Sequence, residues 1–297
     1  MRSASRQRAW TDTPNNGTLI SGLQSGNPNL TEETADSYTV GFVLRPRLGT
    51  PLFENLSLSV DYYNIKLKDA VGYVTTAVSF RRCFNADGTS NPTYDPANPS
   101  CQLVVRDSAG LLSYATEPLQ NLSGYNTSGV DAQIDWRINL SDLGLGGDRV
   151  ALAFNSVVSY LDHYEIQTLP ADPFLDFAGT IGNVQIDAFA PSHPRWKATT
   201  TGTLHLGDTS FGLRWRFIDS QTNSNNVGTG LTSAGVTDRS YFDLIARIGV
   251  GDRFDLHGGV TNMLDKDPPI YTGNAAVDTS TYDVIGRRFY LGVTTKY

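Results

Sequence analysis

The sequence predicts an all-β chain that forms part of an antiparallel transmembrane β-barrel. Three observations lead there. Apolar and polar residues alternate with period two through most of the chain. The connections between those stretches are short and long by turns, and aromatic residues collect at the ends of the alternating segments. A strand with this period has one apolar and one polar face. In a barrel wall the first faces lipid and the second faces the lumen.

Residues 129–138 are the clearest strand. Val130, Ala132, Ile134, Trp136 and Ile138 share one phase; Gly129, Asp131, Gln133, Asp135 and Arg137 share the other. Residues 36–47 place Tyr38, Val40, Phe42 and Leu44 in phase. Residues 56–68 place Leu56, Leu58, Val60 and Tyr62 in phase, then slip at Tyr63 to Ile65 and Leu67, as a bulge would do. Residues 148–164 carry Val150, Leu152, Phe154, Val158 and Tyr160. Residues 194–206 carry Trp196, Ala198, Leu204 and Leu206, and 209–218 carry Phe211, Leu213, Trp215 and Phe217 opposite Arg214 and Arg216. Residues 240–249 set Phe242, Leu244, Ala246 and Ile248 against Asp243 and Arg247; 253–264 set Phe254, Leu256, Val260 and Leu264 against Asp255 and His257. Residues 283–297 set Phe289, Leu291, Val293 and Tyr297 against Arg288, Tyr290, Thr294 and Lys296. That makes nine strands from residue 36 onward, with a tenth expected near the N-terminus. Residues 75–84 suit a short helix inside a loop.

Gaps near 48–55, 140–147, 207–208 and 250–252 are short, while those near 9–35, 69–120, 165–192, 219–237 and 265–281 are long. A soluble sandwich has no reason to place every long loop at one end; an outer-membrane barrel does so by construction. With a periplasmic C-terminus, Phe211, Phe254 and Tyr297 fall at periplasmic strand ends, and Tyr160, Trp196, Phe217 and Phe242 at extracellular ends. These are the two aromatic girdles of such barrels.

Composition agrees. The chain has 297 residues, a net charge of −7, 18% charged and 39% hydrophobic residues. No apolar run is long enough for a transmembrane helix. The acidic balance, with no basic block, argues against nucleic acid as a partner. The start, MRSASRQRAW, is positive but lacks an apolar segment behind it, so it is not a secretory signal. Cys83 and Cys101 flank one turn-rich stretch and read as a loop disulfide of an oxidising compartment; the alternative is two free surface thiols in a cytosolic protein. A start downstream of the natural one reconciles a disulfide with the missing signal. At about 30 residues per strand, a large barrel of ~22 strands needs roughly 650 residues, so the chain accounts for about 10 of them.

Several segments resemble a known family. GNPNLTEETADSYTVGFVLRP (Gly26 to Pro46) is similar to the "GNPxLxPExSxxYxxG" stretch of TonB-dependent outer-membrane receptors. NLSLSVDYYNIKLKDAV (Asn55 to Val71) is similar to their "LxxxxxYxxxIxD" strand, and NTSGVDAQIDWRI (Asn126 to Ile138) to "xxxGxE", with Asp131 for Glu. The loop with Cys83, Cys101, Arg106, Asp107 and Gly110 is similar to a paired-cysteine loop in many members. TNMLDKDPP (Thr261 to Pro269) resembles "xNLFDxxYP", and GRRFYLGVTTKY (Gly286 to Tyr297) the terminal strand, with Tyr297 where Phe is usual. The resemblance covers residues 20–297. It implies one partial barrel domain over 1–297 without the plug, residues 69–120 as a long extracellular loop, and 282–297 as the closing strand. It implies uptake of a scarce ligand such as a siderophore, cobalamin or oligosaccharide, powered by the TonB complex through the plug. The partners it implies are outer-membrane lipid and the barrel-assembly machinery, which reads Phe289, Leu291, Val293 and Tyr297. No catalysis and no cofactor follow from it. Rival readings are a passive porin-like barrel and a secreted β-sandwich that binds carbohydrate.

Other constellations have plainer explanations. Asn262, Asp265, Asp267, Pro268 and Pro269 stop a strand, and Asp87, Gly88, Asn91 and Asp95 lack the ligand spacing of a calcium loop. His163, His193, His205 and His257 do not pair at metal-ligand spacings. Arg81, Arg82 and Arg106 bracket the cysteine loop and are weak candidates for contacts with an anionic ligand. Deleting Tyr297 from the natural protein is expected to lower its outer-membrane level on a membrane-fraction immunoblot; an unchanged level would remove the signal role.

Overall fold

A computed structural model describes residues 21–86, 88–108, 112–147, 149–167, 172–182, 192–228, 230–271 and 277–295. The strands are β1 (Ser21–Ser25), β2 (Thr34–Leu44), β3 (Asn55–Tyr73), β4 (Val104–Arg106), β5 (Leu112–Asn139), β6 (Val150–Gln167), β7 (Leu175–Asp176), β8 (Thr180–Ile181), β9 (Ser192–His193), β10 (Trp196–Leu206), β11 (Thr209–Ile218), β12 (Thr222–Asn223), β13 (Arg239–Val250), β14 (Phe254–Thr261) and β15 (Arg288–Thr295). Nine of them, β2, β3, β5, β6, β10, β11, β13, β14 and β15, follow one another as neighbours in a single sheet. These are the nine alternating segments of the sequence. Every ladder from β6 to β15 is antiparallel. The tenth strand expected near the N-terminus lies outside the described residues. Strand β1 is not part of the wall; it pairs in parallel with the start of β5.

The chain divides into two compact units. One comprises Met1–Ala35, Leu67–Tyr125 and Ile166–Phe174, and the other Asp36–Lys66, Asn126–Glu165 and Leu175–Tyr297. The second holds the wall. There β10 and β11 have 11 and 10 residues, the length that crosses a bilayer as a tilted strand, about 9–11 residues. Their turn is only Gly207 and Asp208, between the Leu206–Thr209 pair. Gly207 takes φ +62°, which a side chain would resist and a type II′ hairpin needs at its first central position. The turn between β2 and β3 is held by Trp136, whose Nε1 donates to the Leu52 carbonyl at 2.8 Å while its ring stacks on Phe53.

Apolar residues of the wall remain exposed on one phase. On β15, Phe289, Leu291 and Val293 are 76%, 81% and 57% exposed. In the second unit the apolar phases of β3, β5, β6, β10, β11, β13 and β14 border one open groove of about 1020 Å³, lined by Leu58, Trp136, Phe154, Leu204, Leu213 and Leu244 among others. A surface this large and apolar suits lipid or detergent rather than water. At the expected extracellular girdle Trp196 pairs with Tyr160 across the ladder, ring centroids 4.6 Å apart. At the other end Phe254 pairs with Thr295. The polar phase carries glycines where rings lie flat. Gly259 faces Tyr290 and Gly292 faces His257 across the β14–β15 ladder. A Cβ on Gly259 would come within 2.7 Å of the Tyr290 hydroxyl and would also strike the Leu244 carbonyl.

Strand boundaries differ from the sequence reading in two places. Strand β3 runs through Tyr63, whose ring lies over Gly129, and its positive-φ residue is Asp69 (φ 55°). Strand reaches into the stretch read as the long loop 69–120, because β3 extends to Tyr73 and β5 begins at Leu112. The closing strand begins at Arg288, not 282. Residues Tyr282 and Asp283 are buried instead, and Gly286 turns the chain at φ 81°. Gly259→Val is expected to destabilise the natural protein by about 1–3 kcal/mol through overpacking; an unchanged urea midpoint would refute the ring-over-glycine packing.

Candidate functional site

The loops expected at the extracellular side are structured, and each unit is described by itself. In the first unit, Thr75 caps helix α1 (Thr76–Cys83) by accepting from the Val78 amide, and Arg81 and Arg82 occupy its last turn. Cations there oppose the negative end of the helix dipole. Cys83 and Cys101 form a disulfide that joins α1 to the helical turn α2 (Pro99–Gln102). Inside the ring, buried Asn91 donates to the carbonyls of Cys83 and Asp95 at 2.9 and 3.0 Å and accepts from the Asp95 amide at 2.8 Å. Asn98 donates to the Ser90 carbonyl, and Gln102 to that of Pro96. Asn91 and Asp95 thus satisfy turn backbone, as the sequence suggested; Asp87 lies outside the described residues.

The three candidate arginines are not equivalent. Arg81 is exposed. Arg82 is half-buried and forms an ion pair with Asp172. Arg106 is half-buried on β4, which pairs with β5. Beside them, Glu117 of β5 accepts from both the amide and the hydroxyl of Thr76, at 2.8 and 2.7 Å. The start of α1 is therefore tied to the first residues of β5.

In the second unit the loops build a small core. Ile181, Ile218, Val236, Tyr241 and Tyr282 pack together, with Tyr271 against them. A short sheet β12–β8–β9 lies among them. Gln221 donates to the Tyr282 hydroxyl at 2.6 Å, and burial pushes that phenol up to about 12. Burial also works to raise the Asp278 carboxyl, but bonds from Ser280 and Thr281 outweigh it and leave it below its ordinary value. Asp176 behaves alike. Burial would raise it, but the Ala178 and Tyr164 amides, Arg195 and His163 together bring it down. His163 lies 3.3 Å from Asp162 and 3.5 Å from Asp176, while His193 stacks on Tyr164.

Asp283 joins this loop core to the wall. Its carboxylate is 3.3 Å from Arg216 and 3.2 Å from Arg288. Arg216 also grips Asp243 through two bonds of 2.9 and 3.0 Å and lies over the Tyr241 ring. Asp243 accepts the Asn262 amide, and the Asn262 side chain binds the backbone of Lys266 twice. The sequence placed Arg216, Asp243 and Arg288 on the polar phases of their strands. It missed Asp283, which lies outside any alternating run. Lower on the same phase Arg247 meets Asp255 at 2.5 Å. Of the assembly-signal residues, Phe289, Leu291 and Val293 share the exposed face of β15, and Tyr297 lies outside the described residues.

The wall and loops have counterparts. The family model "TonB dependent receptor-like, beta-barrel" matches residues 4–263. The chain belongs to the TonB-dependent receptor family. TonB-dependent receptors are outer-membrane transporters rather than enzymes. Solved structures agree on the fold. The ferric enterobactin receptor PfeA of Pseudomonas aeruginosa matches 92% of this chain at 14% identity and a TM-score of 0.56, over 32% of its own length. The siderophore receptor PirA of Acinetobacter baumannii matches 92% at 13% identity and 0.53, over 33% of its length. The copper transporter OprC matches 91% at 14% identity and 0.51, over 32% of its length. This sequence therefore spans about a third of the length of these TonB-dependent receptors. No curated protein matches it significantly.

Asp283→Asn is expected to free the 277–287 segment. About 1.5–3 kcal/mol is at stake for a hydrogen bond to a charged group, less the screening that half-exposed Arg216 and Arg288 receive. Faster trypsin cleavage there, with wall strands intact by mass spectrometry, is the expected outcome; unchanged cleavage would refute the anchoring role.

Proposed function

We propose that this chain is the C-terminal part of the barrel of a TonB-dependent transporter in the outer membrane of a Gram-negative bacterium. Its ligand is scarce and of small-molecule class: a siderophore, cobalamin or an oligosaccharide. The observation that carries the reading is the nine-strand meander, apolar on one phase and charged on the other, within a family match over most of the chain. A closed barrel of this kind leaves no strand backbone unpaired in hydrocarbon. The lumen-phase pairs Arg216–Asp243 and Arg247–Asp255 give a wall against which a plug can seat through charged contacts. TonB engages through that plug.

The long loop 69–120 belongs to the outer vestibule. Arg81 is the foremost ligand contact of the three arginines, since it alone is exposed and Arg82 already serves Asp172. The closing strand, with Phe289, Leu291, Val293 and Tyr297, addresses the protein to the barrel-assembly machinery. Metal chelates come first among the ligand classes, because the neighbours named above are receptors or transporters for ferric enterobactin, siderophores and copper.

Whole-cell uptake tests this directly. Labelled ferric siderophores, cobalamin and maltodextrins are offered to cells with and without the gene, and with and without a functional TonB complex. Saturable uptake of one class, lost in both deletions, is expected. Non-saturable uptake that survives loss of TonB would replace this reading with a passive porin. Recovery of the protein from the medium without detergent would replace it with a secreted binding module.

A further inference from the structure

Three arginines on the polar phases of the wall hold carboxylates of this chain. Arg216 binds Asp243 and Asp283, Arg288 also reaches Asp283, and Arg247 meets Asp255. Two others are left over. Arg214 stands opposite Asp243 in the β11–β13 ladder, but that carboxylate is engaged by Arg216 and by the Asn262 amide. Arg137 is exposed on β5 and makes no ion pair among the described residues.

Arg137 stands at a hollow of about 200 Å³ that Asp135, Ala153, Asn155, Thr201 and Thr203 also line. The ladders explain it. Thr203 pairs with Ala153 on one side and Gly212 on the other, so three short residues lie abreast and leave room over the sheet. Thr201, paired with Asn155 and Arg214, borders that room. The carboxylate in the lining, Asp135, is already served, by Asn155 Nδ2 at 2.6 Å and by Gln133 Nε2 at 2.6 Å. What the hollow offers an incoming group is therefore the Arg137 guanidinium and the hydroxyls of Thr201 and Thr203. Those are donors with a positive charge, the set that receives a carboxylate. The space is smaller than the roughly 300–1,000 Å³ of a small-molecule pocket, so it suits one side chain rather than a whole ligand. Arg137 is two residues from the end of β5 and Thr203 three from the end of β10. The hollow thus lies beside the short turns, on the phase turned to the lumen.

We propose that this hollow is the seat of one acidic side chain of the plug, which Arg137 holds by charge while Thr201 and Thr203 donate beside it. The seat rests on the receptor reading above and goes past it by naming the wall charge that the plug meets and the sign of its partner. Wall pairs such as Arg247–Asp255 are complete without a plug; Arg137 is not. Away from bulk water an ion pair of this kind is worth more than on an open surface, and removing one partner leaves the other buried and uncompensated.

Photocrosslinking in the natural protein tests it. Asn55, exposed at the border of the hollow, is changed to Cys (Asn55→Cys) and carries a benzophenone maleimide; outer membranes are irradiated and the crosslinked peptides are read by mass spectrometry. The expected product joins Asn55→Cys to a plug peptide that contains Asp or Glu. Its yield is expected to be largely lost in Arg137→Gln and kept in Arg137→Lys. Neutralising the plug carboxylate, Asp to Asn or Glu to Gln, is expected to cause the same loss from the other side, which covers the case of an Arg137→Gln protein that does not assemble. A plug crosslink to a peptide without an acidic residue, or one indifferent to neutralising the plug carboxylate, would overturn the seat and leave the receptor reading standing. A label that reaches only the wall, at a position that also reacts freely with a water-soluble maleimide, would mean an open lumen; that result would overturn the seat and replace the receptor reading with a passive porin.

Discussion

Everything in this chain follows from the hydrogen-bonding need of a strand backbone in hydrocarbon. Each unpaired amide or carbonyl there costs several kcal/mol, so every wall strand must have neighbours, and the sheet must run on without interruption. That need explains the meander from β2 to β15 and the tight Gly207–Asp208 turn. It also explains why the wall tolerates so few breaks in pairing where strands are short. Side chains are then free to serve two solvents at once. Phe289 and Leu291 answer one; Arg247 and Asp255 answer the other.

The need ends at the membrane surface, and the structure changes character there. β3, β5 and β6 have 19, 28 and 18 residues, well beyond the roughly 9–11 that cross a bilayer. The outer parts of β5 and β6 carry β1, β4 and β7 as short companions. In the second unit the loops find a hydrophobic core of their own around Tyr241 and Tyr282. A wall whose apolar phase is turned to lipid has no such interior, so burial happens in the loops, where water makes it worthwhile.

The same boundary decides what could be read from sequence. Within the bilayer, period two is imposed on every strand, and all nine wall strands were legible from it. Beyond the bilayer both faces of a strand meet water or loops, the alternation fades, and the stretch from Leu112 to about Asn126 carries no period although it is strand. Asp283 was invisible for a related reason. Its partners Arg216 and Arg288 belong to periodic strands, but its own position is set by loop packing, which leaves no spacing rule. The cysteine pair was legible because turn-rich sequence between two cysteines has few other uses. The network around Asn91 that fills the ring was not, since Asn and Asp look the same in any turn.

The ring closed by Cys83 and Cys101 bears on the order of events during assembly. Disulfides form in oxidising compartments such as the periplasm, which an outer-membrane protein crosses before it inserts. The ring is filled by its own hydrogen bonds rather than by contacts borrowed from the wall, so it can take shape at that stage. On the proposal that this loop is extracellular, the segment that crosses to the cell surface is then a closed ring, wider than a thread, and the route it takes must open to that width.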